Sequence, residues 1–115
     1  MQAIEQPKYS VAYEPETATV NLQGSMRLGD MREYGAIEKF LNQVIEQEPP
    51  VITLNLQNLK FCNSSGINML SKFVINAREQ NKVLIVVKGS TGIPWQGKSL
   101  KNLQRLMPSL TLELE

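Results

Sequence analysis

The sequence contains no histidine, a single aspartate (Asp30) and a single cysteine (Cys62). A Ser-His-Asp triad, a Cys-His pair and any histidine-ligated metal centre are therefore impossible within one chain. The side chains lack the equipment for acid–base or nucleophilic catalysis, so no enzymatic activity, no metal and no cofactor is expected. One cysteine cannot close an internal disulfide and suits a reducing compartment, so a cytoplasmic location is expected. No apolar run approaches the ~18 residues of a membrane-spanning helix. The stretch from Met1 to Tyr9 is polar, holds Pro7 and does not read as a secretory leader. Net charge is scarce as well. Twelve Lys+Arg against eleven Asp+Glu leave +1, which argues against direct nucleic-acid binding driven by bulk charge. What is present is 115 residues with 42% apolar content, enough for one domain around one core.

The charges are unevenly placed. Residues 1–59 hold four basic and eight acidic groups, whereas residues 60–105 hold eight basic groups and only Glu79. From Pro49 through Arg78 no acid occurs. This reads either as an ordinary solvated surface or as a basic face able to meet an acidic partner or a phosphate.

Periodicity supplies the elements. Tyr9, Val11 and Tyr13 alternate with small or polar residues, Pro15 punctuates the chain, and Val20 and Leu22 alternate again, predicting an edge hairpin over 9–23. Asp30 and Glu33 form a D-x-x-E capping signature. Tyr34, Ile37, Leu41, Val44 and Ile45 then make one apolar stripe, predicting a helix over about 31–47 that Pro49-Pro50 stops. Val51–Leu56 reads as a strand and Ile67, Leu70, Val74 and Ala77 as the stripe of a helix over about 65–80. Val83–Val87 is apolar at every position, as in a strand covered on both faces. Strand, helix and strand over 37 residues make a βαβ unit with parallel strands. A third helix is expected from about Pro94 or Lys98 to Met107, then a strand carrying Leu110, Leu112 and Leu114. The order is β-β-α-β-α-β-α-β.

The most informative stretch is Leu54-Asn-Leu-Gln-Asn-Leu-Lys-Phe-Cys-Asn-Ser-Ser-Gly66. A buried strand delivers the chain into Asn63-Ser64-Ser65-Gly66, where a helix begins, and Asn and Ser are strong N-cap residues. A serine on that first turn presents its hydroxyl near the positive end of the helix dipole, where a phosphate would be tolerated. Gly66 permits a close approach or relieves crowding.

These residues resemble the STAS domain, the family of bacterial anti-sigma factor antagonists. Leu54 to Gly66 matches its strand, its L-x-x-L-x-F-x-D-S-[ST]-G switch and the start of its second helix, and Gly24-Ser25-Met26 resembles the G-x-L that ends its second strand. The resemblance spans about residues 9–114 and implies a single α/β STAS domain. Its mixed sheet would have four to five strands, with helices packed mainly on one face. It further implies a regulatory protein-binding module whose partner is a serine-kinase-type anti-sigma factor. Ser65 matches the serine such a kinase phosphorylates, and a phosphatase acting on phospho-Ser65 is implied with it. Asn63, Ser64, Ser65, Gly66, Asn68, Met69 and Lys72 match the partner-binding surface, with Asn63 as helix cap. The family usually has Asp where this chain has Asn63. Asn keeps the capping oxygen and drops the charge, so Asn63→Asp is expected to be neutral or slightly stabilising. With no acid from Pro49 to Arg78, a phosphate on Ser65 is expected to meet little internal repulsion. The alternative is a STAS scaffold that is not phosphorylated, or an anion- or nucleotide-sensing module using the turn at 61–66.

Other residues carry two readings each. Cys62, with no second cysteine or histidine to activate it, reads as a small buried side chain rather than a redox thiol. Trp95 reads equally as a partner anchor or as a cover over the core. Met69, with Phe73, flanks the second helical stripe and reads chiefly as packing. Arg27 and Arg32 could meet phosphate or simply solvate. The loop Lys88–Gly97 looks longer than the family's, and the family assigns it no role.

Overall fold

The structure, a computed structural model, describes residues 2–115; Met1 lies outside the described residues. Nine elements follow one another: β1 (Gln2–Glu5), β2 (Tyr9–Glu14), β3 (Thr19–Met26), α1 (Met31–Glu46), β4 (Val51–Cys62), α2 (Ser64–Gln80), β5 (Leu84–Gly89), α3 (Gln96–Leu106) and β6 (Thr111–Leu114). They form one six-stranded sheet in the order β1-β2-β3-β4-β5-β6. β1, β2 and β3 pair antiparallel, while β3–β4, β4–β5 and β5–β6 pair parallel. The parallel β4–β5 pair is the predicted βαβ unit, and the helices close one face.

Three expectations are corrected. The sheet has six strands, because the polar start of the chain adds β1 alongside β2, so the 9–23 hairpin is not an edge. The strand expected to end at Leu56 continues to Cys62. Its last half pairs with β3 across two register shifts, which blur the alternation and hide the strand from periodicity. Finally, β5 is covered on one face only. Ile85 and Val87 are buried, whereas Leu84 is 53% exposed beside Val51 at 38%.

The core lies between the sheet's inner face and the helices. Tyr9, Val11, Val20, Leu22, Ile52, Leu54, Leu56, Ile85 and Val87 meet Ile37, Leu41, Val44, Leu70, Phe73, Val74 and Leu100 there, all buried. The opposite face is polar. Asn21 and Asn55 link across it, Asn55 Nδ2 donating to Asn21 Oδ1 at 2.9 Å. Gly24 adopts φ +95°, and a Cβ there would collide with the carbonyl oxygen of Lys8, so the β3 bend needs glycine.

The loop before α3 has a structural task. β4 stops pairing with β5 at Asn55, which leaves the following carbonyls on that side without a ladder partner. Gln96, fully buried, donates through Nε2 to Leu56 O (2.6 Å) and Leu59 O (3.2 Å), and its Oε1 accepts from the Ser90 N–H (2.7 Å). The Trp95 indole N–H also donates to Leu59 O at 3.0 Å, so Trp95 serves the loop's packing rather than projecting as an anchor.

Candidate functional site at the start of the second helix

Asn63 organises the turn between β4 and α2. Its backbone N–H donates to Met26 O at 3.0 Å, and its own carbonyl accepts from the Ile67 N–H at 2.9 Å. Its side-chain Oδ1 accepts from the Gly66 N–H at 3.0 Å, capping α2. Nδ2 donates to the carbonyl of Leu28, in the connection from β3 to α1, at 3.1 Å. One amide thus caps α2 and fastens it to the segment leading into α1.

That double use explains why asparagine stands here and corrects the expectation for Asn63→Asp. A carboxylate keeps the cap but cannot donate, so it would set one anionic oxygen against the Leu28 carbonyl. Nothing in the local sequence announces a partner 35 residues away.

The start of α1 lies across the same corner. The Glu33 N–H donates to Asp30 Oδ1 at 2.8 Å, and Glu33 Oε1 accepts from the Gly29 N–H at 3.2 Å. The reciprocal pair anticipated from D-x-x-E is formed, with the returning bond landing one residue early. Ser65 and Asp30 line one small cavity of about 190 Å3 together with Leu28, Gly29, Met31 and Tyr34. Asp30 was absent from the sequence-derived site because it lies outside the acid-free stretch in the chain. In space it lines the same small cavity as Ser65, with one of its oxygens accepting the Glu33 N–H, so a carboxylate stands at the corner where a phosphate on Ser65 would lie.

The seven candidate surface residues divide. Ser64, Ser65, Asn68 and Lys72 are exposed and Asn63 is half-buried, whereas Met69 (1% exposed) and Gly66 are buried. Met69 and Gly66 are therefore not partner contacts: Met69 joins the core, and Gly66 answers internal crowding. A Cβ at Gly66 would lie 2.5 Å from Cys62 Sγ and 3.6 Å from Met26 Sδ. Gly66→Ala is expected to destabilise by about 1–2 kcal/mol, the usual scale of overpacking. Cys62→Ala in the same chain should recover part of that loss in urea titrations, since it removes the atom in the way. If the two losses simply add, Gly66 is kept for another reason.

Lys72 and Met31 extend the exposed surface. The Lys72 ammonium lies 5.5 Å from the centroid of the Tyr34 ring, and Met31 is 80% exposed at the entrance of α1. Arg27, exposed, stacks on the ring of Phe61 at 4.0 Å from its centroid, so it is held against the surface rather than simply solvated. Cys62 is 4% exposed, and burial pushes its thiol from 9.0 up to about 12, which keeps it protonated and unreactive. Tyr9 is raised likewise from 10.0 to about 12, first by burial and then by the Glu33 carboxylate. No helix among the described residues is long and apolar enough to cross a membrane.

No protein-family model matches the chain, and no curated protein matches it by sequence. Solved structures do. A chain in the crystal structure of the diguanylate cyclase SiaD in complex with its activator SiaC, from Pseudomonas aeruginosa, superposes with a TM-score of 0.73 at 10% identity, covering 100% of both chains. Apo-SiaC from the same organism gives 0.73 at 10% identity, covering 100% of this chain and 99% of that one. An anti-sigma factor antagonist from Mycobacterium paratuberculosis gives 0.63 at 20% identity, covering 94% of this chain and 90% of that one. At these identities the likeness is one of fold. The chain has the STAS fold that the motif around Ser65 implied.

Proposed function

We propose that this chain is a regulatory module that binds a partner protein through the surface at the start of α2, and that phosphorylation of Ser65 switches the binding. The carrying observation is the position of Ser65: an exposed hydroxyl on the first turn of α2, in a cleft whose opposite wall is the capped start of α1. A hydroxyl there is open to a kinase, and a partner fitted to it would be opposed by a dianion of about −1.5 to −2 charges. Ser64, Asn68, Lys72 and Met31 supply the rest of the contact, polar at the rim with an exposed thioether beside it. The partner class is a kinase-type anti-sigma factor or another signalling protein. The reading is supported by the anti-sigma factor antagonist and by SiaC, an activator seen in complex with a diguanylate cyclase, which share the fold. On this reading the protein acts by occupancy, is not an enzyme, and works in the cytoplasm.

Mass spectrometry of the protein isolated from its native host should show phosphate on Ser65. Pull-downs with wild type, Ser65→Ala and Ser65→Glu should recover the same partner with the first two and at least tenfold less with the third. Because Asp30 lines the same cavity as position 65, Ser65→Glu should also lower stability slightly, by less than about 1 kcal/mol for two solvent-screened charges. Equal recovery by wild type and Ser65→Glu would remove the switch.

A further inference from the structure

Apart from Met1, the sulfur atoms of the chain belong to Met26, Met31, Cys62, Met69 and Met107. Four of them are sealed: Met26, Cys62, Met69 and Met107 are each 4% exposed or less. Met31 is the exception at 80% exposed. It opens α1 three residues before Tyr34, so the apolar stripe of that helix, carried one turn back, reaches it. The core includes Tyr34 but not Met31. Met31 therefore hangs over the corner where α1 and α2 begin, lining the same cavity as Ser65 and Asp30.

Exposure decides which of these sulfurs can react. A thioether is oxidised through its lone pair and needs no ionisation, so access governs its rate. The Cys62 thiol is closed on both counts, being buried and held protonated. An oxidant in solution thus meets one sulfur among the described residues, and that sulfur stands in the surface assigned above to the partner.

We propose that Met31 is a redox-modification site, oxidised by hydrogen peroxide to its sulfoxide, and that the sulfoxide weakens partner docking at the Ser65 surface. The effect on docking rests on the partner-binding reading above. The Met31 Sδ attacks one peroxide oxygen, the O–O bond breaks and an S–O bond forms. The other oxygen leaves as hydroxide and takes the proton from the sulfur-bound oxygen, giving water. Sulfur gives up two electrons and the peroxide gains them. A dithiol restores the thioether through a methionine sulfoxide reductase, yielding water and a disulfide. Oxidation turns a flexible apolar end group into a polar one whose oxygen needs a donor. A partner that buries the thioether must then desolvate that oxygen. No charge is added, which separates this device from a phosphate on Ser65. The fold is left alone, because the Met31 side chain stands outside the core.

The test treats the intact wild type and Met31→Leu with dilute hydrogen peroxide, removes the oxidant with catalase and follows both by peptide mass mapping. One oxygen should appear on Met31 at least tenfold faster than on Met26, Met69, Met107 or Cys62. Melting curves of the singly oxidised protein should superpose on those of the untreated one. In pull-downs, recovery of the partner by wild type should fall at least threefold on oxidation. It should return after treatment with methionine sulfoxide reductases and dithiothreitol. Met31→Leu, compared with its own untreated form, should show no such fall. Oxidation spread evenly over the buried sulfurs, or a melting temperature lowered by oxidation at Met31, would overturn the site. Unchanged recovery by protein oxidised at Met31, or a loss that Met31→Leu shares, would overturn the effect on docking. If untreated wild type recovers no partner, the docking reading falls and that effect with it, while the mass map still decides the site.

Discussion

Replacing Gln96 by leucine is expected to destabilise the protein by about 3–5 kcal/mol, the largest effect of any single substitution considered for this chain. The side chain is fully buried and joins three backbone groups: Leu56 O, Leu59 O and the Ser90 N–H. Trp95 still serves Leu59 O after the substitution, so the severe losses fall on Leu56 O and the Ser90 N–H. Each buried group left without a partner costs about 1–3 kcal/mol. Gln96→Glu separates hydrogen bonding from shape. It nearly preserves the volume and retains an acceptor for Ser90, but it aims an oxygen at two carbonyls and buries a charge. It should therefore be at least as damaging at neutral pH and partly recover in acid, as protonation restores one donor. Chemical denaturation at pH 7 and pH 4 measures both variants. A loss below 1 kcal/mol for Gln96→Leu would show that water can enter and serve these carbonyls.

Asn63→Ala is expected to cost about 2–4 kcal/mol, more than the ~1 kcal/mol of a lost cap, because the Leu28 carbonyl loses its donor as well. Asn63→Asp isolates that second bond. It keeps the acceptor for Gly66 and gains about 0.5 kcal/mol from the α2 dipole, against the lost donor and two opposed oxygens, for a net loss of about 1–2 kcal/mol. The sign of its pH dependence is diagnostic. The opposing carbonyl raises the folded pKa of the new carboxyl above its unfolded value, so stability is fullest below the unfolded pKa near 4 and falls as pH rises through the folded one. Melting temperatures of Asn63→Asp and wild type should therefore converge as pH drops toward 4. A variant as stable as wild type at pH 7 would mean that the Leu28 contact contributes little.

These two residues mark the boundary of what sequence can disclose. The stripes of α1 and α2, the D-x-x-E start of α1, the cap at Asn63 and the exposed serines after it were all legible, because each depends on residues within a few positions. The same holds for the parallel β4–β5 unit, whose apolar strands flank an amphipathic helix. The buried places of Met69 and Gly66 were less legible, since a helix flank reads alike whether it meets solvent or a neighbouring element.

By itself, then, the sequence determined the helices, the core strands, the STAS-like order and the turn presenting Ser65. Local periodicity and capping act over one or two turns of chain and need no distant partner. Only the tertiary structure decided that β1 joins the sheet, that β4 runs on to Cys62, that Gln96 serves carbonyls 37 and 40 residues away, and that Asp30 and Ser65 line one cavity. Each of those depends on which backbone groups remain unpaired once the sheet has formed, and on which loops the packed helices bring to one corner. A buried carbonyl recruits whatever donor the fold places beside it, and no spacing in the chain encodes that meeting.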